Sequence, residues 1–234
     1  MRRLIAHRGA RTEEPENTLR AIKRAAACRA DAVEVDVRLS KDQEPVIIHD
    51  DTLERTTDGF GKVCEKTLEQ LRVLDAGKGE KIPKLSEALS LVKTLGLELV
   101  LELKEPEMEE RVVREIQEAG MERSMVISSF YHFSLLRLKE LAPNLKTGVI
   151  LSSLPVFPVT LALDAKADVI FQRYPRLTRE YSAEARRNGL EIYVWTINTV
   201  EDFERARELG VTGIVTDNPC LFKSFLLRRT SRQS

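Results

Sequence analysis

Several features that would define whole classes of protein are scarce or absent from this chain. Only three cysteines occur in 234 residues, Cys28, Cys64 and Cys220. They are odd in number, far apart and in no metal-ligand spacing, so a disulfide framework is not expected and three separate thiols in a reducing compartment are. No apolar run reaches about 18 residues, which excludes a transmembrane helix. Met1-Arg2-Arg3 is followed only by Leu4-Ile5-Ala6 before charge returns, too short for the apolar region of a signal peptide, and a cytoplasmic protein is expected. Net charge is missing as well. Lys plus Arg and Asp plus Glu each number 37, so no global field points to nucleic acid or to an anionic membrane surface. Any preference for an anion has to be local.

What is present is a regular alternation of short β-rich runs with amphipathic segments. Residues 4–7, 32–38, 97–104, 125–130, 147–151, 168–173, 191–197 and 213–216 read as strands, rich in β-branched and aliphatic side chains. Helical patterns cover 15–30, 84–95, 108–119, 133–141, 178–188 and the stretch from Thr199 to Gly210, several of them stopped by glycine; a last one spans 220–229 after Pro219. The hydrophobic fraction of 42% suffices for one large α/β core. Eight strands with intervening helices predict an α/β (β/α)8 TIM barrel as a single domain over 1–234, the alternative being an open doubly wound sheet. The strand ends recur every 20–30 residues or so, except that the interval from Asp36 to Lys104 is far longer. Its excess, residues 40–83, reads as a small insertion after the second strand, on the active face.

On the second strand, Glu34-Val35-Asp36-Val37 puts two carboxylates at alternate positions, and therefore on one side of the strand. Glu102 and Lys104 repeat that spacing on the third. In a barrel the C-terminal strand ends share one face, so Glu34, Asp36 and Glu102 converge. Like charges together on buried strands are costly, and a hard divalent cation bound through oxygen relieves them. His7 and His49 flank the same carboxylates and suit general acid and base work, since imidazole titrates near neutrality. His132, near the start of a helix, reads as an ordinary polar residue. With a divalent ion, Arg8 and Lys104 set against three carboxylates, the formal balance is positive by one charge, which suits a monoanionic phosphodiester.

These residues resemble the glycerophosphodiester phosphodiesterases. The resemblance rests on His7-Arg8-Gly9, Pro15-Glu16-Asn17-Thr18, Glu34-Val35-Asp36-Val37, His49-Asp50 and Glu102-Leu103-Lys104, and ends with Trp195-Thr196-Ile197-Asn198 and the segment 213–219. It implies a (β/α)8 barrel with an insertion after the second strand, and hydrolysis of glycerophosphodiesters such as glycerophosphocholine or glycerophosphoethanolamine to glycerol 3-phosphate and an alcohol. By position, Glu34, Asp36 and Glu102 are similar to the family's metal ligands, with one Mg²⁺ or Ca²⁺, Mn²⁺ being a third candidate. His7 and His49 match its acid–base pair. Arg8 and Lys104 would hold the phosphate, Glu16 would lie near the glycerol end, and Trp195 and Phe130 would border the substrate. Asn17 reads equally well as a helix cap or a ligand contact. Whether water or the substrate's own hydroxyl attacks first is left open. Two rival functions stand beside this one: a lysophospholipase D-like hydrolase, for which Leu154, Val156 and Phe157 offer an apolar rim, and a silent phosphodiester-binding barrel. A small-molecule substrate is the expected partner, and either a monomer or a homodimer fits the sequence.

Overall fold

A computed structural model describes residues 3–222 of the chain. Eight parallel strands close on themselves: β1 (Arg3–Ala6), β2 (Ala32–Leu39), β4 (Glu98–Leu103), β5 (Met125–Ser129), β6 (Lys146–Leu151), β7 (Val169–Arg173), β8 (Glu191–Trp195) and β9 (Gly213–Thr216). Closure is made by β1, which pairs with β9 on one side and β2 on the other. That ring is a (β/α)8 barrel and rules out the open sheet. A ninth strand, β3 (Pro45–Ile47), lies antiparallel on β2 with Val37 opposite Ile47.

Helices α1 (Leu19–Ala27), α3 (Leu85–Leu95), α4 (Glu109–Ala119), α5 (His132–Leu141), α6 (Pro158–Asp164), α7 (Arg179–Arg187) and α8 (Val200–Glu208) surround the ring. A short α2 (Leu68–Arg72) and a 3₁₀ turn (Val63–Glu65) lie between β3 and α3. The glycine stops at Gly96 and Gly120 are left-handed, as the pattern predicted. One boundary differs from the sequence expectation, one start agrees with it, and one helix was not expected. The first helix starts at Leu19, not Pro15, because Thr18 is its cap and accepts from Ala21 N at 3.2 Å. Helix α8 is capped by the Thr199 hydroxyl, which also donates to Asp202 Oδ2 at 2.9 Å. Helix α6 carries no sequence forecast, being short and opened by Pro158. The expected helix over 220–229 lies largely outside the described residues. Among those described, no helix is long and apolar enough to cross a membrane.

Alternation along the strands divides the apolar side chains into two cores. Val33, Val35, Val37, Leu99, Leu101 and Leu103 face outward and pack under the helices with Ile22, Leu89, Val112 and Leu135. The opposite parity fills the barrel with Ile5, Ala32, Val100, Val126, Ile150, Phe171, Tyr193 and Val215. Those inward positions turn charged as β2 and β4 approach their C-terminal ends, where Glu34, Asp36 and Glu102 stand. A third, smaller core of Val46, Ile48, Leu53, Val63, Leu71 and Ile82 holds the segment between β3 and α3 together.

Barrel closure also corrects the reading of the cysteines. Cys28 follows α1 and Cys220 follows β9, and the two are joined by a disulfide across 192 residues of sequence. The pairing of β1 with β9 makes these distant segments neighbours, which spacing along the chain does not reveal; Cys64 remains free and exposed.

Gly148 on β6 lies beneath the Phe171 ring, and a Cβ there would stand 2.6 Å from Cε2 of that ring. Gly148→Ala is therefore expected to destabilise the barrel by about 2 kcal/mol through overpacking, measured as a lower denaturant midpoint at unchanged m.

Candidate active site

The parallel register of β2 and β4 sets Asp36 directly opposite Glu102 and Glu34 opposite Val100. Oxygens of Glu34, Asp36 and Glu102 come within 4.8 Å of one another. Glu34 and Asp36 are buried, and Glu34 Oε1 and Asp36 Oδ1 have no hydrogen-bond partner in the protein. Burial, together with repulsion from Asp36 and Glu102, pushes the Glu34 carboxyl well above the usual carboxylate range. Burial and the charge on Asp36 raise Glu102 to about 7. Asp36 would be raised by its burial too, but Lys104 and Arg8 outweigh it and hold Asp36 below the ordinary value. Three acidic groups that repel one another, with two buried oxygens that accept no hydrogen bond, form a set of hard oxygen ligands, and a divalent cation fits it.

Fixed cations close the layer on two sides. Lys104 Nζ lies 2.6 Å from Glu102 Oε1 and 3.5 Å from Asp36 Oδ1. Arg8 adopts a left-handed backbone (φ 54°) immediately after β1. This turns its amide to Glu34 Oε2 at 2.8 Å and its guanidinium to Asp36 Oδ2 at 3.3 Å and Glu16 Oε1 at 2.8 Å. Gly9 (φ 80°) makes the same turn possible against α1, where an added Cβ would meet Ala21 Cβ at 2.6 Å. Asn17, also left-handed, does not cap α1. Its side chain donates to Asp36 Oδ2 at 2.8 Å and accepts from Asp36 N at 3.2 Å.

Each of the two candidate histidines is backed by an aspartate. His7 Nδ1 donates to Asp217 Oδ1 at 2.7 Å, and His49 Nδ1 to Asp50 Oδ1 at 2.5 Å. Since an ionised carboxylate only accepts, both Nδ1 atoms carry the proton and Nε2 is left for chemistry. Asp217 is itself held by Asn198 Nδ2 at 2.7 Å. Arg55 grips Asp50 at 2.5 Å and reaches Glu16 at 2.8 Å. Burial, aided by Lys104 and Arg8, keeps the His49 imidazole below its usual range against the opposite pull of Asp36 and Asp50. Asp50 is held far below the carboxylate range, first by its bond to Arg55.

A cavity of about 220 Å³ opens above this layer, lined by His7, Arg8, Glu34, His49, Glu102, Lys104, Phe130 and Trp195, with Ile150, Phe171 and Val215. Trp195 is fixed by its Nε1, which donates to Phe171 O at 3.0 Å, and meets Phe130 edge-on with centroids 6.1 Å apart. Of the ten residues singled out in the sequence, eight line this cavity. Asp36 stands behind it within the acidic layer, and Glu16 is set back among Arg8, Arg11 and Arg55. Periodicity gave no role to Asp217, Asp50, Asn198 or Arg55. Their only signal was location, since Asp50 adjoins His49, and Asn198 and Asp217 belong to the two C-terminal family-like segments. His132 Nε2 sits 3.3 Å from Ile150 O, in keeping with an ordinary polar role.

A profile of the glycerophosphoryl diester phosphodiesterase family matches residues 7–221. The chain belongs to that family. A glycerophosphodiester phosphodiesterase of Caldanaerobacter subterraneus subsp. tengcongensis is 39% identical over 228 residues, covering 92% of this chain and 94% of the relative. One from Bacillus subtilis is 30% identical over 247 residues, covering 93% and 84%. Among solved structures, an Oleispira antarctica phosphodiesterase in complex with the product sn-glycerol-3-phosphate superposes with a TM-score of 0.87 at 30% identity, covering 95% of both chains. A glycerophosphodiester phosphodiesterase of Thermotoga maritima gives 0.84 at 26% identity, covering 96% and 98%. The chain is thus an enzyme of the phosphoric diester hydrolase type, as its motifs suggested.

Two outcomes test the electrostatics of the site. Mg²⁺, Ca²⁺ or Mn²⁺ should raise the thermal midpoint, by the equivalent of about 2.7 kcal/mol at a hundredfold excess over Kd. Glu34→Gln or Glu102→Gln should abolish that rise in a thermal melt. Glu16 would be raised by burial, but Arg55, Arg8 and Arg11 lower it to about 2. A depressed carboxyl stabilises the fold above its unfolded value near 4.5 and loses that contribution as pH falls through the folded one. Glu16→Gln should therefore cost about 3 kcal/mol at pH 7, and chemical denaturation should show the difference shrinking as pH is lowered from about 4.5 toward 2.

Proposed function

We propose that this chain, acting as one domain over 1–234 with 40–83 as its insertion, hydrolyses glycerophosphodiesters to glycerol 3-phosphate and an alcohol. Glycerophosphocholine and glycerophosphoethanolamine are representative substrates. The observation that carries this reading is the joining, at one cavity, of a three-carboxylate layer with two histidines whose Nδ1 atoms are both tied to aspartates. The product-bound Oleispira relative supports the glycerol phosphate half of the substrate.

In this proposal Glu34, Asp36 and Glu102 hold one divalent cation, Mg²⁺, Ca²⁺ or Mn²⁺. When bound, that ion neutralises the acidic layer and supplies a Lewis acid for a phosphate oxygen. Arg8 and Lys104 hold the remaining charge of the diester, and each is already fixed by carboxylates, so little rotamer freedom is lost on binding. Nε2 of one histidine takes the proton from the attacking oxygen. The other histidine enters as the imidazolium, protonated at both nitrogens, and its Nε2 gives a proton to the alcohol oxygen as its bond to phosphorus breaks. One water is consumed overall, whether it attacks directly or opens a cyclic phosphate formed by the substrate's own hydroxyl. Asp217 and Asp50 hold the Nδ1–H of both imidazoles, which leaves Nε2 of the base free to accept and stabilises the imidazolium of the acid, and Glu16 positions Arg8. Phe130 and Trp195 form the apolar wall beside the substrate.

The test is release of glycerol 3-phosphate from a panel of glycerophosphodiesters, with and without chelator. Turnover should vanish with chelator and return on adding metal. His7→Ala and His49→Ala should each lower kcat by about 10²–10⁴-fold. Undiminished activity in either variant would remove that histidine from the mechanism.

A further inference from the structure

The mouth of the cavity is polarised in a way that the reaction does not require. On one side, the loop after β1 and the segment after β3 carry Glu13, Glu14, Asp50, Asp51, Glu54 and Asp58, of which Glu13, Glu14 and Asp50 face arginines or lysines. On the other side, the loops after β5 and β6 carry no charge at all. Their tips hold Tyr131, Phe133, Leu154, Val156 and Phe157, of which Phe133 is 65%, Val156 85% and Phe157 70% exposed. The registers of β5, β6 and β7 place the loops that follow them side by side at the same barrel end. The next loop, after β7, presents Arg173, Arg176 and Arg179, all exposed. Arg176 donates to Ser152 O and Gln172 Nε2 to Ser153 O at 2.9 Å, tying the second apolar loop to the basic one. Arg173 and Arg176 have no carboxylate partner among the described residues; the nearest acids in sequence are Asp168, which is paired with Lys139, and Glu180, beside Arg179.

From this we infer that the half-rim formed by the loops after β5, β6 and β7 docks the enzyme onto an anionic phospholipid surface. Protruding aromatic and aliphatic tips enter the headgroup region, and the adjacent arginines meet lipid phosphates. Charge argues against the simplest rival. A twofold contact with a second copy would bring the same patch, with the same arginines, against itself. The patch is also continuous with the apolar wall of the cavity through Phe130, which lines that cavity while being 44% exposed at the rim. Docking would therefore turn the active-site mouth toward the lipid. The inference stands on the rim alone and is independent of which diester is cleaved.

Co-sedimentation of the full chain with vesicles tests it. Phosphatidylcholine vesicles containing about 30 mol % phosphatidylglycerol should bind the protein, and pure phosphatidylcholine vesicles should bind it less. Val156→Asp combined with Phe157→Asp should lower partitioning ~tenfold or more, with an unchanged thermal midpoint showing that the fold is intact. Arg173→Glu combined with Arg176→Glu should remove the preference for the anionic vesicles. Absence of binding by the unmodified chain, or equal binding by the Val156→Asp/Phe157→Asp variant, overturns the proposal. So does a dimer in sedimentation velocity that dissociates in that variant, since the patch would then be covered by a second copy. Equal binding to both vesicle types overturns the role of the arginines.

Discussion

Repulsion among three carboxylates in one layer of a closed barrel is the constraint to which the rest of the site answers. Glu34, Asp36 and Glu102 are forced together by strand register, not by a flexible loop, so the charges cannot move apart. Around them the protein has placed every compensating group within reach: the Arg8 amide and guanidinium, the Asn17 side chain and the Lys104 ammonium. That compensation is uneven. Asp36 is held ionised, while Glu34 and Glu102 are left raised. The layer is therefore incomplete with protein cations alone, and Glu34 Oε1, which has neither a hydrogen bond nor an ion pair among the described residues, lies where a further positive charge is favourable.

A second network runs from this layer to the histidines. Asp36 contacts Arg8, Arg8 contacts Glu16, Glu16 contacts Arg55, and Arg55 grips the Asp50 that orients His49. Arg8 and His49 are thereby mechanically joined, and the segment between β3 and α3 supplies Arg55 as its share. On the opposite wall, Asp217 and Asn198 serve His7 from the last strand and from the loop after β8.

How legible each part was in the sequence follows from the range of the interaction behind it. The carboxylate pair on β2 was visible because same-face spacing is a two-residue matter, and Glu102 joined it once a barrel was assumed. Gly96 and Gly120 marked helix ends because a left-handed cap is local. Helix α6 went unseen: seven residues opened by a proline, with exposed Leu161 and Leu163, give no clear helical stripe. Asn17 read as either a cap or a ligand contact, because its actual partner, Asp36, is nineteen residues away. Asp217 and the Cys28–Cys220 pair depend on contact between the two ends of the chain, and no window of sequence contains both partners. Where a role was set by chain closure, a family resemblance could mark the residues but not say what they touch.

His7 stands just after the first strand, and the aspartate that orients it just after the last, 210 residues later. A ribosome must therefore finish nearly the whole polypeptide before this imidazole has its partner. The contact that fixes this ring's orientation is thus a late one, completed only when the two ends of the barrel meet.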